Sequence, residues 1–158
     1  MTEIITDEFI RELRHIVGRK YVSASQVDAE VYSYDASSAT GRPGVVVFPG
    51  DSQEIARIVR SARKAGLPFT PRGFGTNLSG GTVVPSGGMV ICLSRLNQIL
   101  AISPARRCAV VQPGVTNLEL QNALSPMGYF YSPDPASQKV ATLGGNVGEN
   151  SGGPHCLK

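Results

Sequence analysis

The fold is decided by the stretch VVVFPGDSQEIARIVRSARKAGLPFTPRGFGTNLSGG, which runs from residue 45 to residue 81. Its first residues, Val45 to Phe48, predict a short β-branched strand. Asp51 followed by Glu54 is typical of a capped helix start, and the helix carries one apolar stripe made by Ile55, Ile58, Val59, Ala62 and Ala65. A second strand is expected near Phe69 to Pro71. The stretch therefore predicts a βαβ unit with a parallel pair of strands and a right-handed crossover.

A glycine-rich loop, PRGFGTNLSGG from Pro71 to Gly81, follows the second strand. Open α/β sheets bind ligands at the carboxyl ends of parallel strands, which is where this loop begins. The loop has neither the Gly-Lys-Ser/Thr end of a P-loop nor the third glycine and helix of a dinucleotide fingerprint. It does offer a series of backbone amides, with Arg72 as a charge and Thr76, Asn77 and Ser79 as donors. Such a nest suits a pyrophosphate, and the alternative is a flexible surface turn.

The residues before this stretch predict helical structure. Thr6 is placed to cap a helix that ends at Gly18, with Ile5 and Ile10 as a hydrophobic staple. The region 21–44 is weakly patterned and predicts one short helix near 26–32 followed by a loop. We therefore expect an N-terminal helical segment over residues 1–44 and the main domain over residues 45–158.

Three short strands are predicted after the loop, at Met89–Leu93, Ile99–Ser103 and Cys108–Gln112. The short connections favour antiparallel pairing between successive strands. A second capped helix is expected from Thr116 to Gly128, with a buried face made by Leu120, Ala123, Leu124 and Met127. The fold class is therefore α+β with a mixed sheet. A turn-rich loop then leads to a second glycine-rich segment, TLGGNVGENSGG, at residues 142–153.

Composition excludes several functions. The chain has 158 residues and a net charge of +3, with no Lys/Arg run, so a nucleic-acid partner is not expected. No apolar stretch is long enough to span a membrane. Cys92, Cys108 and Cys156 have no metal-ligand spacing, and their odd number disfavours a disulfide framework. They are expected to be reduced, mostly buried thiols of a cytosolic protein.

Three motifs in a fixed order carry a family resemblance: PRGFGTNLSGG, SPDPAS at 132–137, and TLGGNVGENSGG. Together they resemble the FAD-binding domain of the vanillyl-alcohol oxidase and p-cresol methylhydroxylase superfamily. The resemblance covers residues 45–158, and the closing run NSGGPHCLK narrows it to the glycolate oxidase and D-lactate dehydrogenase branch. It implies a p-cresol methylhydroxylase type of FAD-binding domain that is incomplete at its C-terminus: a parallel βαβ subdomain plus the start of a mixed or antiparallel one.

The resemblance also implies an FAD site, with cofactor contacts carried over to Pro71, Arg72, Gly73, Phe74, Gly75, Thr76, Asn77, Leu78, Gly80, Gly81, Pro133, Asp134, Pro135, Ser137, Thr142, Gly144, Gly145, Asn146, Asn150 and Gly152. The amides of residues 72–78 would receive the pyrophosphate. Residues 142–146 would pass along the pyrophosphate, ribityl chain and flavin, and Asn150 and Gly152 would hold the following turn. Non-covalent FAD is expected, because the first loop lacks the histidine that tethers the flavin in some members. His155 is placed where it could approach the flavin, but a histidine at such a position is more often incidental.

The implied function is oxidation of a D-2-hydroxy acid, such as glycolate or D-lactate, to the 2-oxo acid. Members of the branch hold the substrate in a further cap domain, so we assign no catalytic residue and no metal ligand here, and expect the piece not to be catalytic alone. Implied partners are FAD, the hydroxy acid in a complete enzyme, and other oxidase subunits including an iron–sulfur subunit. The implied location is cytoplasmic, or peripheral to the inner membrane in a complex. A non-enzymatic nucleotide-binding or interaction module and an inactive truncated product remain the alternatives.

Overall fold

The computed structural model describes residues 5–156 and divides the chain into two compact units, Met1–Arg95 and Leu96–Lys158. The first unit holds the sheet predicted around the βαβ stretch. The second unit holds a hairpin and two helices. Within residues 5–156, no helix combines the length and the apolar character needed to cross a bilayer.

The sheet of the first unit has four strands: β1 (Val22–Ser23), β2 (Val45–Val47), β3 (Phe69–Arg72) and β4 (Met89–Cys92). Their order is β1-β2-β4-β3, with β1 antiparallel to β2 and β4 parallel to both β2 and β3. The two strands of the predicted βαβ unit are therefore parallel but not adjacent, because β4 lies between them. The prediction that the strand at residues 89–93 pairs antiparallel with the next strand was wrong, because this strand, β4, pairs with β2 and β3 and is parallel to both. All four residues of β4 are buried, as a central strand requires.

Two long helices pack on this sheet, α1 (Asp7–Val17) and α3 (Ser52–Lys64). Leu13 of α1 and Ile58 of α3 are fully buried in one hydrophobic core with residues of β2 and β4. The predicted caps of α1 are present, because the Thr6 hydroxyl accepts a hydrogen bond from the Phe9 amide at 3.2 Å and Gly18 has a φ of 91°. Residues before 45 thus share a core with the strands, and the domain division at residue 44 stays a prediction.

The start of α3 is fixed by reciprocal hydrogen bonds. Asp51 accepts from the Glu54 amide at 2.7 Å, and the Glu54 carboxylate accepts from the Gly50 amide at 2.6 Å. The helix buries Ile58 and Ala62 as its stripe predicts, but Ala65 is exposed because it is the C-cap residue. The short helix predicted near residues 26–32 is α2 (Gln26–Val31), capped by the Ser25 hydroxyl.

The second unit begins with the antiparallel hairpin β5 (Ile99–Ser103) and β6 (Cys108–Val111), joined by a 3₁₀ turn at Pro104–Arg106. It continues with α4 (Asn117–Leu124), whose Thr116 and Glu119 form the predicted capping box. The core of this unit is formed by Val115, Leu120 and Leu143. A short helix that the sequence did not predict, α5 (Leu143–Gly148), completes the unit.

Two burial predictions were wrong. Met127 is 46% exposed, because the chain leaves the α-helix for a 3₁₀ turn at Ser125–Met127 and the buried face ends there. Of the cysteines, Cys92 is buried in β4, whereas Cys108 is exposed on the hairpin and Cys156 is partly exposed. All three are free thiols.

Candidate functional site

The first glycine-rich loop leaves the end of β3 and is held by one buried carboxylate. Asp35 is only 7% exposed, and its Oδ2 accepts hydrogen bonds from Asn77 Nδ2 at 2.8 Å and from Thr82 Oγ1 at 3.2 Å. Its Oδ1 accepts from the Ser37 amide at 2.8 Å. These hydrogen bonds connect the loop, through Asn77 and Thr82, to the turn that contains Asp35. The loop is therefore held by internal hydrogen bonds and is not a free surface turn.

The charge of Asp35 is stabilised by the same contacts. Burial raises the pKa of the Asp35 carboxyl, but hydrogen bonds from Ser37, Asn77 and Thr82 outweigh it and hold that pKa below its usual value. Sequence reasoning missed both Asp35 and Thr82. The available signal was Asp35-Ala36-Ser37, a spacing typical of a turn in which an aspartate side chain accepts from the backbone two residues on.

Arg72 braces the loop from the strand end. It is only 7% exposed, and its Nη1 donates to the Tyr34 carbonyl at 2.7 Å and to Thr82 Oγ1 at 3.3 Å. Gly75 has a φ of 70°, and a Cβ at this position would lie 2.6 Å from Arg72 Cζ. The guanidinium is therefore packed under the loop; Gly75 is required for its backbone conformation, and a Cβ there would displace the Arg72 side chain.

The tip of the loop presents unpaired backbone donors. The amides of Gly73, Phe74, Thr76 and Leu78 donate no hydrogen bond to any atom of the described residues. No acidic residue occurs between Pro71 and Gly81. Free backbone amides in a loop with no carboxylate of its own are typical of phosphate-binding sites, and the neighbouring Asp35 carboxylate already accepts from Asn77, Thr82 and Ser37, so the structure of the loop fits the diphosphate of FAD.

The SPDPAS motif lies in the second unit, where backbone hydrogen bonds fix it. Asn117 Nδ2 donates to the Pro133 carbonyl at 2.6 Å, and the Pro135 and Ser137 carbonyls accept from the Gln138 and Ala141 amides at 2.9 and 2.8 Å. The conformation of the motif is thus set by the chain itself. The Pro133, Pro135 and Ser137 carbonyls already accept hydrogen bonds within the chain, so a ligand would be contacted by other atoms of the motif.

Asp134 of this motif is hydrogen-bonded to His155. The His155 amide donates to Asp134 Oδ1 at 3.2 Å, and the imidazole Nδ1 contacts Oδ2. Desolvation raises the pKa of Asp134, but hydrogen bonds and the charge of His155 outweigh it and lower the pKa below its usual value. The pair joins the SPDPAS motif to the residues after the second glycine-rich segment. Sequence reasoning named both residues but did not predict that they meet.

The second glycine-rich segment forms the helix α5. Thr142 is its N-cap, with Oγ1 accepting from the Gly145 amide at 3.2 Å. The Gly144 amide donates to the Pro113 carbonyl at 2.9 Å, and a Cβ on Gly144 would lie 2.6 Å from the Pro113 Cβ. The hydroxyl of Thr142 and the amide of Gly144 are therefore used within the unit. The helix escaped prediction because glycine is a poor helix former.

Asn146 provides the clearest ligand-binding signal in this segment. It is only 4% exposed, and its side-chain Nδ2 has no hydrogen-bond partner within the described residues. A buried donor without a partner costs about 1–3 kcal/mol, so an acceptor on a bound cofactor would satisfy it. Nearby, Asn150 adopts the left-handed backbone conformation, with a φ of 51°. A Cβ added to Gly152 would contact only Cys156, at 3.8 Å. A glycine at position 152 is therefore not required by packing within residues 5–156.

The sequence profile of the family described as FAD binding domain matches residues 43–158. The chain is 41% identical over 156 residues to the glycolate oxidase subunit GlcD of Bacillus subtilis (strain 168), covering 98% of this chain and 33% of that protein. It is 32% identical to the D-lactate dehydrogenase of Anaerostipes hadrus, covering 98% of this chain and 32% of that protein. The chain spans about a third of the length of these curated relatives.

Solved structures share the fold. An alkyldihydroxyacetonephosphate synthase superposes with a TM-score of 0.83 at 25% identity, covering 94% of this chain and 30% of that one. p-Cresol methylhydroxylase superposes with a TM-score of 0.75 at 20% identity, covering 89% and 28%. The predicted fold class and family are thereby confirmed, as is FAD as the cofactor of the family. The chain belongs to the FAD binding domain family of flavoprotein oxidoreductases, with the p-cresol methylhydroxylase type of fold.

Proposed function

We propose that this chain is the FAD-binding portion of an oxidoreductase that converts a D-2-hydroxy acid, such as glycolate or D-lactate, to the 2-oxo acid. The observation that carries the cofactor part is the row of unpaired amides at Gly73, Phe74, Thr76 and Leu78. The substrate part rests on relatives named as a glycolate oxidase subunit and a D-lactate dehydrogenase.

Each segment has a distinct role in this proposal. The loop amides donate to the diphosphate, while Arg72 and Asp35 hold the loop in place through their internal hydrogen bonds. Asn146 Nδ2 donates to an acceptor on the cofactor. Residues 71–81 contain no histidine, so the cofactor is held there without a covalent tether. When bound, FAD would supply the acceptor for the hydride that leaves the substrate α-carbon.

The substrate side lies outside this chain in the proposal. Oxidation of a 2-hydroxy acid needs a base for the hydroxyl and a clamp for the carboxylate, and we assign neither to residues 5–156. The relatives are about three times as long as this chain, which leaves room for both groups. Other oxidase subunits, including an iron–sulfur subunit, and a cytoplasmic location are part of the same proposal.

Ligand titrations of the purified chain test the cofactor part. Three ligands are compared: FAD, ADP, which carries the diphosphate without the flavin, and riboflavin, which carries the flavin without the diphosphate. We expect FAD and ADP to bind, because both carry the diphosphate, and riboflavin to bind at least about tenfold more weakly than FAD. Binding of riboflavin with the affinity of FAD would contradict diphosphate recognition by the loop. Absence of binding of both FAD and ADP would contradict a cofactor site in this chain.

A further inference from the structure

The SPDPAS motif and the residues after the second glycine-rich segment meet at one contact in the second unit. The Asp134 side chain is 16% exposed, accepts from the His155 amide at 3.2 Å, and contacts the imidazole Nδ1 through Oδ2. The imidazole is 69% exposed, so the contact lies at the surface of the unit. The Phe130 ring lies edge-on to the imidazole, with the ring centroids 6.4 Å apart. His155 is therefore held by both a carboxylate and an aromatic ring.

Gly153 allows the chain to come this close to Asp134. A Cβ at position 153 would lie 2.5 Å from the Asp134 carbonyl oxygen and 2.6 Å from its carbonyl carbon, which is too close for a real Cβ. Because these are backbone atoms, they cannot move aside as the end of a flexible side chain does. A Cβ added to Gly152 would have no such conflict within residues 5–156. The approach to Asp134 therefore requires glycine at position 153 and not at position 152.

The contact closes a loop that contains α5. Asp134 and His155 are 21 positions apart, and α5 lies between them. After the helix, the Ser151 amide donates back to a carbonyl of α5 at 2.8 Å. Residues 149–156, which we call the strap, thus leave α5 and return to the SPDPAS motif at His155. Joining the two ends of a flexible loop restricts the conformations of all the residues inside it.

We propose that His155 is a positioning residue: its contact with Asp134 latches the strap onto the SPDPAS motif and holds the second glycine-rich segment in the conformation that binds FAD. This inference rests on the proposed function, in which Asn146 of that segment donates to the cofactor. His155 acts through Asp134 and not by touching FAD. A segment that is already ordered loses less conformational entropy when the ligand binds, so the latch raises the affinity for FAD.

Hydrogen exchange in the FAD-free chain, measured by NMR, tests the latch itself. Useful reporters are the amides of Ser151 and Cys156, which donate to carbonyls at 2.8 and 3.0 Å. We expect His155→Ala to accelerate exchange of these strap amides about two- to tenfold, because the contact with Asp134 Oδ2 is lost. The control is His15→Ala, at an exposed histidine of α1, which should leave their exchange unchanged. Unchanged exchange in His155→Ala would overturn the proposal.

A conservative variant separates the hydrogen bond from the ring contact with Phe130. His155→Asn should keep the slow exchange, because the asparagine side-chain amide can donate to the Asp134 carboxylate as Nδ1 does. Equal acceleration in His155→Asn and His155→Ala would overturn the latch, because it would leave only ring packing as the role of His155.

The neighbouring glycines give an independent test in the same FAD-free chain. Gly153→Ala should accelerate exchange of the strap amides, because the new Cβ pushes the strap away from Asp134. Gly152→Ala is the matched control and should leave their exchange unchanged. Equal acceleration in both variants would mean that the close approach to Asp134 does not hold the strap, which would overturn the proposal.

Ligand affinity tests the positioning role. We expect His155→Ala to bind FAD about two- to tenfold more weakly, and to bind ADP within about twofold of the wild-type chain, because the diphosphate is assigned to the first loop. His155→Asn should bind FAD as the wild-type chain does. Faster strap exchange with unchanged FAD affinity would overturn the positioning role. Absence of FAD binding by the wild-type chain would remove that role together with the proposed function, whereas the exchange measurements decide separately whether the latch exists.

Discussion

The two glycine-rich segments use glycine for different purposes. In the first, Gly75 adopts a positive φ above the Arg72 guanidinium, and the adjoining amides remain unpaired. In the second, Gly144 lets the helix α5 approach Pro113, and the unpaired donor is the side chain of Asn146. Similar composition thus produces a loop with unpaired backbone amides in one unit and a closely packed helix in the other. Substitutions in each segment test whether glycine has these two different roles.

Gly144→Ala should give the largest effect. The new Cβ would lie 2.9 Å from the Pro113 carbonyl oxygen, and backbone cannot yield as a flexible side chain does. We expect the free energy of unfolding to fall by about 3 kcal/mol in urea denaturation. Gly148→Ala is the matched control, since a Cβ there meets nothing within 4 Å and should stabilise α5 by about 0.5–1 kcal/mol. Similar losses in both variants would show that packing on Pro113 is not the reason for glycine at position 144.

Asp35→Ala tests the brace of the first loop. The change leaves the Asn77 amide and the Thr82 hydroxyl without their shared acceptor, which should lower the free energy of unfolding by about 1–3 kcal/mol. Hydrogen exchange of the loop amides should accelerate, and FAD affinity should fall. Glu30→Ala, an exposed acid on α2, is the control and should change neither quantity. Unchanged loop exchange in the Asp35 variant would contradict the role of this carboxylate.

Acid should weaken the same brace. The pKa of Asp35 is lowered from its ordinary value of 3.8, so its stabilising contribution is complete above that value and is lost as the pH falls through the lower pKa of the folded state. The stability difference between the wild-type chain and the Asp35→Ala variant should therefore be constant at neutral pH and shrink below about pH 4. Urea denaturation of both proteins at several pH values between roughly 2.5 and 7 measures this stability difference. A difference that widens in acid would mean that the pKa of Asp35 is raised instead.

Asn146→Ala should have the smallest effect on stability. Its side-chain Nδ2 has no partner within residues 5–156, so truncation removes an unsatisfied donor and should change the free energy of unfolding by less than about 1 kcal/mol. FAD affinity should nevertheless fall. The contrasting variant Asn117→Ala loses the hydrogen bond to the Pro133 carbonyl and should be clearly less stable. A loss of stability in Asn146→Ala without any loss of FAD affinity would assign Asn146 to packing.

Local signals in the sequence predicted much of the fold. Thr6, Asp51 and Thr116 are predictable as helix caps because each is a residue type that caps helices and precedes a helical apolar pattern, and in the structure each accepts a hydrogen bond from the amide three residues on. The three consecutive valines of β2 and the four residues of β4 predicted strands because buried strands are continuously apolar. The family motifs predicted the cofactor class.

Long-range features could not be predicted from one sequence. The insertion of β4 between β2 and β3 depends on pairing between strands far apart in the chain. The acceptor role of Asp35 toward Asn77 spans 42 positions, so no local pattern encodes it. The helix α5 forms because Gly144 and Leu143 pack and hydrogen-bond within the second unit, which overrides the poor helix propensity of its glycines. The cofactor residues carried over by resemblance remain predictions.

We propose that the backbone amides of the first loop receive the diphosphate of FAD. NMR titration of the chain with FAD and with ADP tests it most directly, because each amide reports on its own hydrogen bond. We expect the signals of Gly73, Phe74, Thr76 and Leu78 to shift with both ligands and their hydrogen exchange to slow. Binding of either ligand without any change at these amides would mean that the loop does not receive the diphosphate.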